Sequence, residues 1–179
     1  MLVAFTLLIL SACKKDDQPN TEEETSGKMQ TFTFTVNGNG IENKVYEREY
    51  PLESHGGLSY FEPQNGYERI TALLPHDEGK PGMKVYFVYL NDEIQPLAEQ
   101  EFNNQSTSNI EVIFEHAGEI YQLQSTSGSC ISHSMEIQPF SESSGKSSFN
   151  VSFSGQFIKY DGSTNIPYEI EGEIEIHEN

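Results

Sequence analysis

The feature that most constrains the fold of this chain is a strict alternation of apolar and polar residues near its C-terminal end. In the range Phe149–Phe157 every second residue is apolar or glycine, and the residues between them are small and polar. In the range Ile166–Ile176 isoleucine, tyrosine and glycine alternate mostly with glutamate. Successive side chains of a β-strand point to opposite faces, so this period predicts two strands with one face in a core and the other in water. Ile170, Ile174 and Ile176 are predicted to face that core.

A period of two also recurs between turn residues along most of the remaining chain. Phe32, Phe34 and Val36 share one face of a predicted strand, and the following Asn37-Gly38-Asn39-Gly40 supplies the positive φ angles that a tight hairpin needs. The run Val85–Leu90 is apolar on both faces and is predicted to be a central strand. Other strands are predicted from Ile41 onward and over Gly57–Phe61, Tyr67–Leu74, Met83–Leu90, Ile110–Glu115 and Glu119–Leu123.

Three further features lie in the second half of the chain. Only the segment Asp92–Glu101 could hold a helical turn. A bend at Asp161-Gly162-Ser163 is predicted to join the last two strands. The strand that precedes them is predicted to place four side chains on one face, namely Ile131, His133, Met135 and Ile137.

The number and spacing of these segments predict the class of fold. About nine or ten short strands separated by turns indicate an all-β protein, an antiparallel β-sandwich, with a lipocalin-like barrel as the alternative. The sandwich is favoured because one strand is apolar on both faces while others are strictly one-sided. Cys130 is the only cysteine after Cys13, so the domain has no internal disulfide, and it is predicted to be a small buried hydrophobe.

The N-terminal end carries a different pattern. The apolar run Leu2–Leu10 is shorter than the about 20 residues that cross a bilayer as a helix, and it leads into Leu10-Ser11-Ala12-Cys13. This stretch resembles a bacterial lipoprotein signal with its lipobox, which implies removal of residues 1–12 and lipidation of Cys13. The tract Lys14-Lys15-Asp16-Asp17 that follows is similar to the short export signal of surface lipoproteins of the Bacteroidota. This resemblance implies that the protein is anchored on the cell-surface side of the outer membrane, and the alternative is the periplasmic face.

The domain organisation follows from these assignments. Residues 13–28 comprise the lipidated cysteine and a disordered acidic linker, because the segment has almost no apolar side chain to bury. Residues 29–179 have the length of a single β-sandwich domain. The stretches Phe32–Gly38, Val151–Phe157 and Glu169–Ile174 resemble small single-domain lipoproteins of unknown function from the Bacteroidota. That resemblance implies no catalytic or binding residue.

The charge of the chain narrows the classes of partner. It contains 28 Asp and Glu residues against 10 Lys and Arg, a formal net charge of −18. Such a surface repels the phosphate backbone, so no nucleic-acid partner is expected. The expected partner is the membrane, through the lipid anchor on Cys13, while a glycan or protein ligand stays open.

The sequence motifs predict neither a catalytic site nor a metal site. No Gly-x-Ser-x-Gly elbow is present, and Gly145-Lys146-Ser147 lacks the first glycine of a phosphate-binding loop, since Phe140 stands there. Cys130 and His133 are three apart, which places them on opposite faces of a strand. The acid and imidazole groups of His76-Asp77-Glu78 and Glu115-His116 are read as solvated. We therefore expect no enzyme activity, no catalytic residue, no metal ligand and no cofactor.

Two residue sets remain as binding candidates. Carboxylates at alternate positions of one strand offer calcium only one side of its shell, so this row is read as a charged face that keeps an edge strand from pairing. Five aromatic residues could form a glycan platform, although a place in the core is favoured. The sequence thus predicts a lipid-anchored, non-enzymatic binding or structural module, with a glycan- or calcium-binding accessory lipoprotein as the alternative. The carboxylates are Glu169, Glu171, Glu173 and Glu175, and the aromatic residues are Tyr46, Tyr50, Tyr60, Phe61 and Tyr67.

Overall fold

A computed structural model describes residues 29–51, 58–64, 66–99, 107–139, 145–160 and 165–177. Within these ranges the chain forms strands and turns, which confirms the all-β prediction. The strands are β1 (Met29–Gly38), β2 (Ile41–Pro51), β3 (Leu58–Gln64), β4 (Tyr67–Leu74), β5 (Gly82–Leu90), β6 (Glu93–Ile94), β7 (Leu97–Ala98), β8 (Asn109–His116), β9 (Glu119–Pro139), β10 (Gly145–Tyr160) and β11 (Asn165–Ile176).

The strands belong to one antiparallel sheet that curls into a half-barrel. Their order is β2-β1-β11-β10-β3-β4-β5-β8-β9-β7, and β6 pairs with β5. Strand β9 pairs with β8 along one edge and with β10 along the other, whereas β10 and β3 pair at one position in the described residues, Gly145 with Phe61. The predicted class of fold, an all-β antiparallel β-sandwich, is confirmed, and the described strands form one continuous sheet.

Aromatic rings from both halves of the sheet meet in the core. Phe34 of β1 lies 5.9 Å, between ring centroids, from Phe114 of β8. Phe87 of β5 meets Phe149 of β10 edge-on at 5.6 Å. These contacts join layers that are far apart in sequence, and edge-to-face and tilted arrangements are the ones that aromatic pairs favour. The core therefore lies inside the curl, and the opposite face of each strand points outward.

Most predicted strands and hairpins are confirmed. β1 and β2 are joined at Asn39 and Gly40, both with positive φ, and β8 and β9 are joined at Ala117 and Gly118 in the same way. Strand β5 lies between β4 and β8, as its apolar character predicted. Two-residue connections with positive φ match the right-handed twist of the strands that they join.

One predicted face is wrong, because β9 contains two bulges. Asn150 pairs with Ser134 but Val151 pairs with Ser132, so His133 is an extra residue of β9 that has no cross-strand partner on β10. A bulge of one residue reverses which side chains point inward. Met135 and Ile137 on one side of the bulge pack against the core, whereas Ile131 on the other side is 61% exposed. A second shift at Thr126 restores the inward direction for Ser125 and Leu123.

Two other predictions are corrected. Strand β11 is not an edge strand, since β1 and β10 pair with it on its two sides. In the described residues the long edge is β2, whose Glu42, Lys44 and Glu47 are exposed charges of the kind that discourages edge-to-edge pairing. Residues 92–99 form a turn and the two short strands β6 and β7 rather than a helical turn.

Several predictions lie outside the described residues. They are the signal peptide and linker of residues 1–28, including Cys13, and the bend at 161–163. Among the described residues, no helix has the length and apolar character needed to cross a membrane.

Candidate functional site

A trough with a volume of about 410 Å³ opens on the outer face of β1, β11, β10 and β9. We call it the acidic trough. Its volume lies in the range of small-molecule and side-chain binding sites, which is about 300–1,000 Å³. The lining residues are Thr33, Phe34, Thr35, Ser129, Ile131, Ser152, Phe153, Ser154, Glu171, Gly172 and Glu173.

Two cross-strand rows of side chains form the acidic trough, and each has a carboxylate at its centre. In the first row Glu173 lies between Thr33 and Ser152, and Ile131 follows on β9. In the second row Glu171 has the same kind of neighbours, a threonine on β1 and serines on β10 and β9. The register therefore places hydroxyl groups on both sides of each carboxylate. The second row is Thr35, Glu171, Ser154 and Ser129.

The four glutamates of β11 differ in their partners. Glu175 forms an ion pair with His177, with 3.0 Å between Oε1 and Nε2, and Glu169 accepts a hydrogen bond of 3.2 Å from Gln156 Nε2. The side chains of Glu171 and Glu173 have neither a hydrogen bond nor an ion pair with any described residue. The two carboxylates that line the acidic trough are thus the two of this row that have no side-chain partner in the described part of the protein.

The surrounding strands offer no basic side chain to these two carboxylates. The stretches 31–37, 127–134, 150–156 and 169–175 contain neither lysine nor arginine. The nearest imidazole on this face is His133 at the bulge, and its Nε2 lies 2.7 Å from Ser152 Oγ, at the trough wall. Cys130 points inward and packs against the core, so the predicted separation of Cys130 and His133 onto opposite faces is confirmed.

Glycine residues set the floor of the acidic trough. A Cβ atom on Gly172 would lie 2.7 Å from Phe153 Cζ and 2.9 Å from Phe34 Cβ, so both rings pack directly against the bare backbone of β11. Gly155 and Gly128 are cross-strand partners, and a Cβ atom on Gly155 would lie 2.1 Å from the carbonyl oxygen of Ser127. This close approach of β9 and β10 requires glycine and holds the β9 wall against the floor.

The chemistry of the acidic trough favours an organic cation over a metal ion. Alternate residues of a strand lie about 7 Å apart, whereas calcium needs six to eight oxygens within about 2.6 Å. No group of three or more metal-ligating side chains occurs in the described residues. Two separated carboxylates flanked by hydroxyl groups can instead each accept hydrogen bonds from an ammonium or guanidinium group.

The aromatic residues that were candidates for a glycan platform lie elsewhere. Tyr46 and Tyr50 are 9% and 4% exposed and belong to the core, as the favoured interpretation predicted. Burial raises the pKa of each phenol to about 12, and for Tyr46 the neighbouring Tyr121 adds to the effect. Tyr67 is half-buried, and the side chains of Tyr60 and Phe61 lie outside the described set.

The acidic loop between β4 and β5 is held by an arginine that sequence reasoning missed. Arg48 on β2 forms an ion pair with Asp77 and donates hydrogen bonds to the carbonyl oxygens of Pro75, at 2.6 Å, and Pro81, at 3.0 Å. Its guanidinium lies 4.2 Å from the ring centroid of Tyr50. These contacts tie the edge strand to the loop, so Asp77 has a structural partner.

The histidine at the end of β8 also has a structural partner. His116 Nδ1 lies 3.2 Å from the Tyr46 hydroxyl, and the ring packs edge-on against Tyr121. Lys159 Nζ covers the other side of this cluster, 4.1 Å from the Tyr121 ring centroid. The Glu115-His116 pair is therefore part of an aromatic cluster that closes one end of the core.

A second depression, of about 330 Å³, lies beside the turn that follows β5. It contains Glu68, Tyr89 and Asp92, and the pKa of Glu68 is raised, first by burial and then by the charge of Asp92. The pKa of the Tyr89 phenol is raised for the same reasons.

The chain was compared with protein-family models, with curated proteins and with solved structures, and none of the three comparisons finds a match. Any functional assignment therefore rests on the geometry of the site. Sequence reasoning identified the carboxylates of the acidic trough but missed its walls, which come from β1, β9 and β10. The alternation of Thr31, Thr33 and Thr35 is a visible signal, but only the pairing register places it beside β11.

Proposed function

We propose that this protein is a lipid-anchored, non-enzymatic binding module of the cell envelope that presents the acidic trough to its ligand. The observation that carries the proposal is the pair of carboxylates of Glu171 and Glu173, which have no side-chain partner and lie at the centre of a depression of about 410 Å³. Both carboxylates are exposed to solvent, and polar groups without partners that converge at a concave surface are typical of a binding site.

The side chains that line the acidic trough support binding of a cationic ligand. Its polar groups are carboxylates and aliphatic hydroxyls, which both accept hydrogen bonds, and none of its lining residues is a histidine, cysteine or lysine. The one free thiol in the described residues, Cys130, lies under the sheet, and burial raises its pKa to about 12. A thiol in that state is a poor nucleophile.

The envelope location is supported by the N-terminal sequence. The resemblance of residues 10–13 to a lipobox implies a diacylglyceryl anchor on Cys13, and residues 14–28 are polar enough to act as a tether. Lys14-Lys15-Asp16-Asp17 favours the cell surface over the periplasmic face. A polar tether of this length would leave the outer face of the half-barrel free to meet a ligand.

The experiment that tests this proposal is cell fractionation of the full chain and two cysteine variants. Cys13→Ala is expected to move the protein from the detergent phase to the aqueous phase, because acyl chains contribute about 0.8 kcal/mol of membrane affinity per buried methylene. Cys130→Ala is the matched control and is expected to stay in the detergent phase. Retention of Cys13→Ala in alkaline-washed membranes would contradict the lipid anchor, and protection of the wild type from protease on intact cells would contradict surface exposure.

A further inference from the structure

We infer that the acidic trough binds an extended, basic polypeptide segment whose lysine or arginine side chains occupy alternate positions. This inference rests on the proposed function in one respect, which is that the acidic trough is the binding face. It adds the chemical class of the partner and the conformation in which the partner is bound.

The spacing of the carboxylates is the first reason. Glu171 and Glu173 are alternate residues of one strand, so they point to the same side about 7 Å apart. Alternate side chains of an extended peptide repeat at the same distance. A peptide that runs along β11 can therefore place one cationic group on each carboxylate.

The charge around the site is the second reason. The outer face of β2 and β11 carries six carboxylates, and the four stretches that form the rows contain no lysine or arginine. Several carboxylates on one face make the local electrostatic potential more negative and steer a cationic partner toward it. Glu175 and Glu169 at the two ends have their own partners, so the site for two cations is limited to the centre. The six carboxylates are Glu47, Glu49, Glu169, Glu171, Glu173 and Glu175.

The walls of the acidic trough fit the rest of such a peptide. Thr33 and Thr35 on one side, and Ser152 and Ser154 on the other, offer hydroxyl groups to the peptide backbone and to hydroxyl side chains. Ile131, which is 61% exposed at the β9 wall, offers an apolar surface to the methylene stem of a lysine.

Other occupants fit less well. The aromatic residues that line the trough, Phe34 and Phe153, are only 1% and 3% exposed, so no ring is available for a sugar to stack on. A second copy of this chain carries the same net charge of −18 and would be repelled. A basic partner, by contrast, is attracted by the negative charge of this face.

The test is a fluorescence anisotropy titration of the full chain, in non-ionic detergent and 150 mM NaCl, with two eight-residue labelled peptides of equal composition. One peptide alternates lysine and threonine, and the other has its four lysines as two adjacent pairs, each followed by two threonines, so that no two lysines are two positions apart. The alternating peptide is expected to bind at least about threefold more tightly, because only its lysines match the carboxylate spacing. The double variant Glu171→Gln with Glu173→Gln is expected to weaken its binding about tenfold, since two charge-assisted hydrogen bonds become neutral ones.

The matched control is Glu93→Gln with Glu115→Gln, which removes two exposed carboxylates from β6 and β8 and should change affinity less than twofold. Equal affinities for the two peptides, equal losses in the two double variants, or no binding at millimolar peptide would each overturn the inference. The fractionation of Cys13→Ala does not depend on these titrations, so the inference and the lipid-anchored module fail in separate experiments.

Discussion

Truncation of Ile174 on β11 is the most direct test of which face of that strand is buried. Ile174 is 0% exposed, and its cross-strand neighbours Phe32 and Val151 are buried too. Ile174→Ala removes three carbon atoms, a loss of about 2.4 kcal/mol at about 0.8 kcal/mol each. Because two well-packed strands flank the site, a cavity term of about 1–2 kcal/mol is added. The expected loss of unfolding free energy is therefore about 4 kcal/mol.

The control variant lies one residue away. Glu173→Ala truncates an exposed side chain on the opposite face, and its expected effect is within about 0.5 kcal/mol. Urea unfolding followed by circular dichroism measures the unfolding free energy of both variants. In a thermal melt, the midpoint of Ile174→Ala should fall by about 10 °C in a domain of this size. Equal midpoints for the two variants, or a lower midpoint for Glu173→Ala, would refute the assigned strand phase.

Three further predictions concern the same sheet. Gly155→Ala should destabilise the fold by about 3 kcal/mol in urea unfolding, because its Cβ would lie 2.1 Å from the carbonyl oxygen of Ser127; a neutral effect would show that β9 and β10 are not in such close contact. In a Cys13→Ala background, Cys130 should react with iodoacetamide at pH 8 about a hundredfold more slowly when folded than in urea, since its folded pKa is about 12; equal rates would mean an exposed thiol. Calcium and magnesium should shift the melting temperature alike, by charge screening; a saturable rise at sub-millimolar calcium that Glu171→Gln abolishes would reveal a specific calcium site.

Much of the fold could be predicted from the sequence because the period of two is a local signal. The inward direction of Ile170, Ile174 and Ile176 follows from burial of alternate side chains on one face, and the structure confirms it. The hairpin between β1 and β2 is equally local, since Asn39 and Gly40 adopt the positive φ that the two strands require.

The rest depends on contacts that no local pattern contains. The bulge at His133 arises from pairing between β9 and β10, and the alternation of residues between Ile131 and Met135 does not predict that these two side chains point to opposite faces of the sheet. In the same way, the row of glutamates on β11 predicts an edge strand. Its second neighbour, β1, lies more than 120 residues earlier in the chain.

The candidate site was predictable only in part for the same reason. Glu171 and Glu173 were visible as members of an acidic row, but the row gives no indication of which carboxylates find partners. The ion pair of Glu175 with His177 and the hydrogen bond of Glu169 with Gln156 depend on side-chain positions at the two ends of β11. What distinguishes the central pair is therefore a property of the folded sheet.

A ¹H–¹⁵N NMR titration of the full chain, in detergent, with the alternating lysine–threonine peptide at 150 mM NaCl would locate the bound peptide on the sheet. We expect saturable shift changes confined to the amides of Thr33–Thr35, Ser152–Ser154 and Glu171–Glu173, with the loop around Asp77 and the β8–β9 turn unchanged. Shift changes spread over all acidic surfaces in proportion to their charge, or centred on the depression beside Glu68 and Asp92, would contradict the claim that the acidic trough is the binding site.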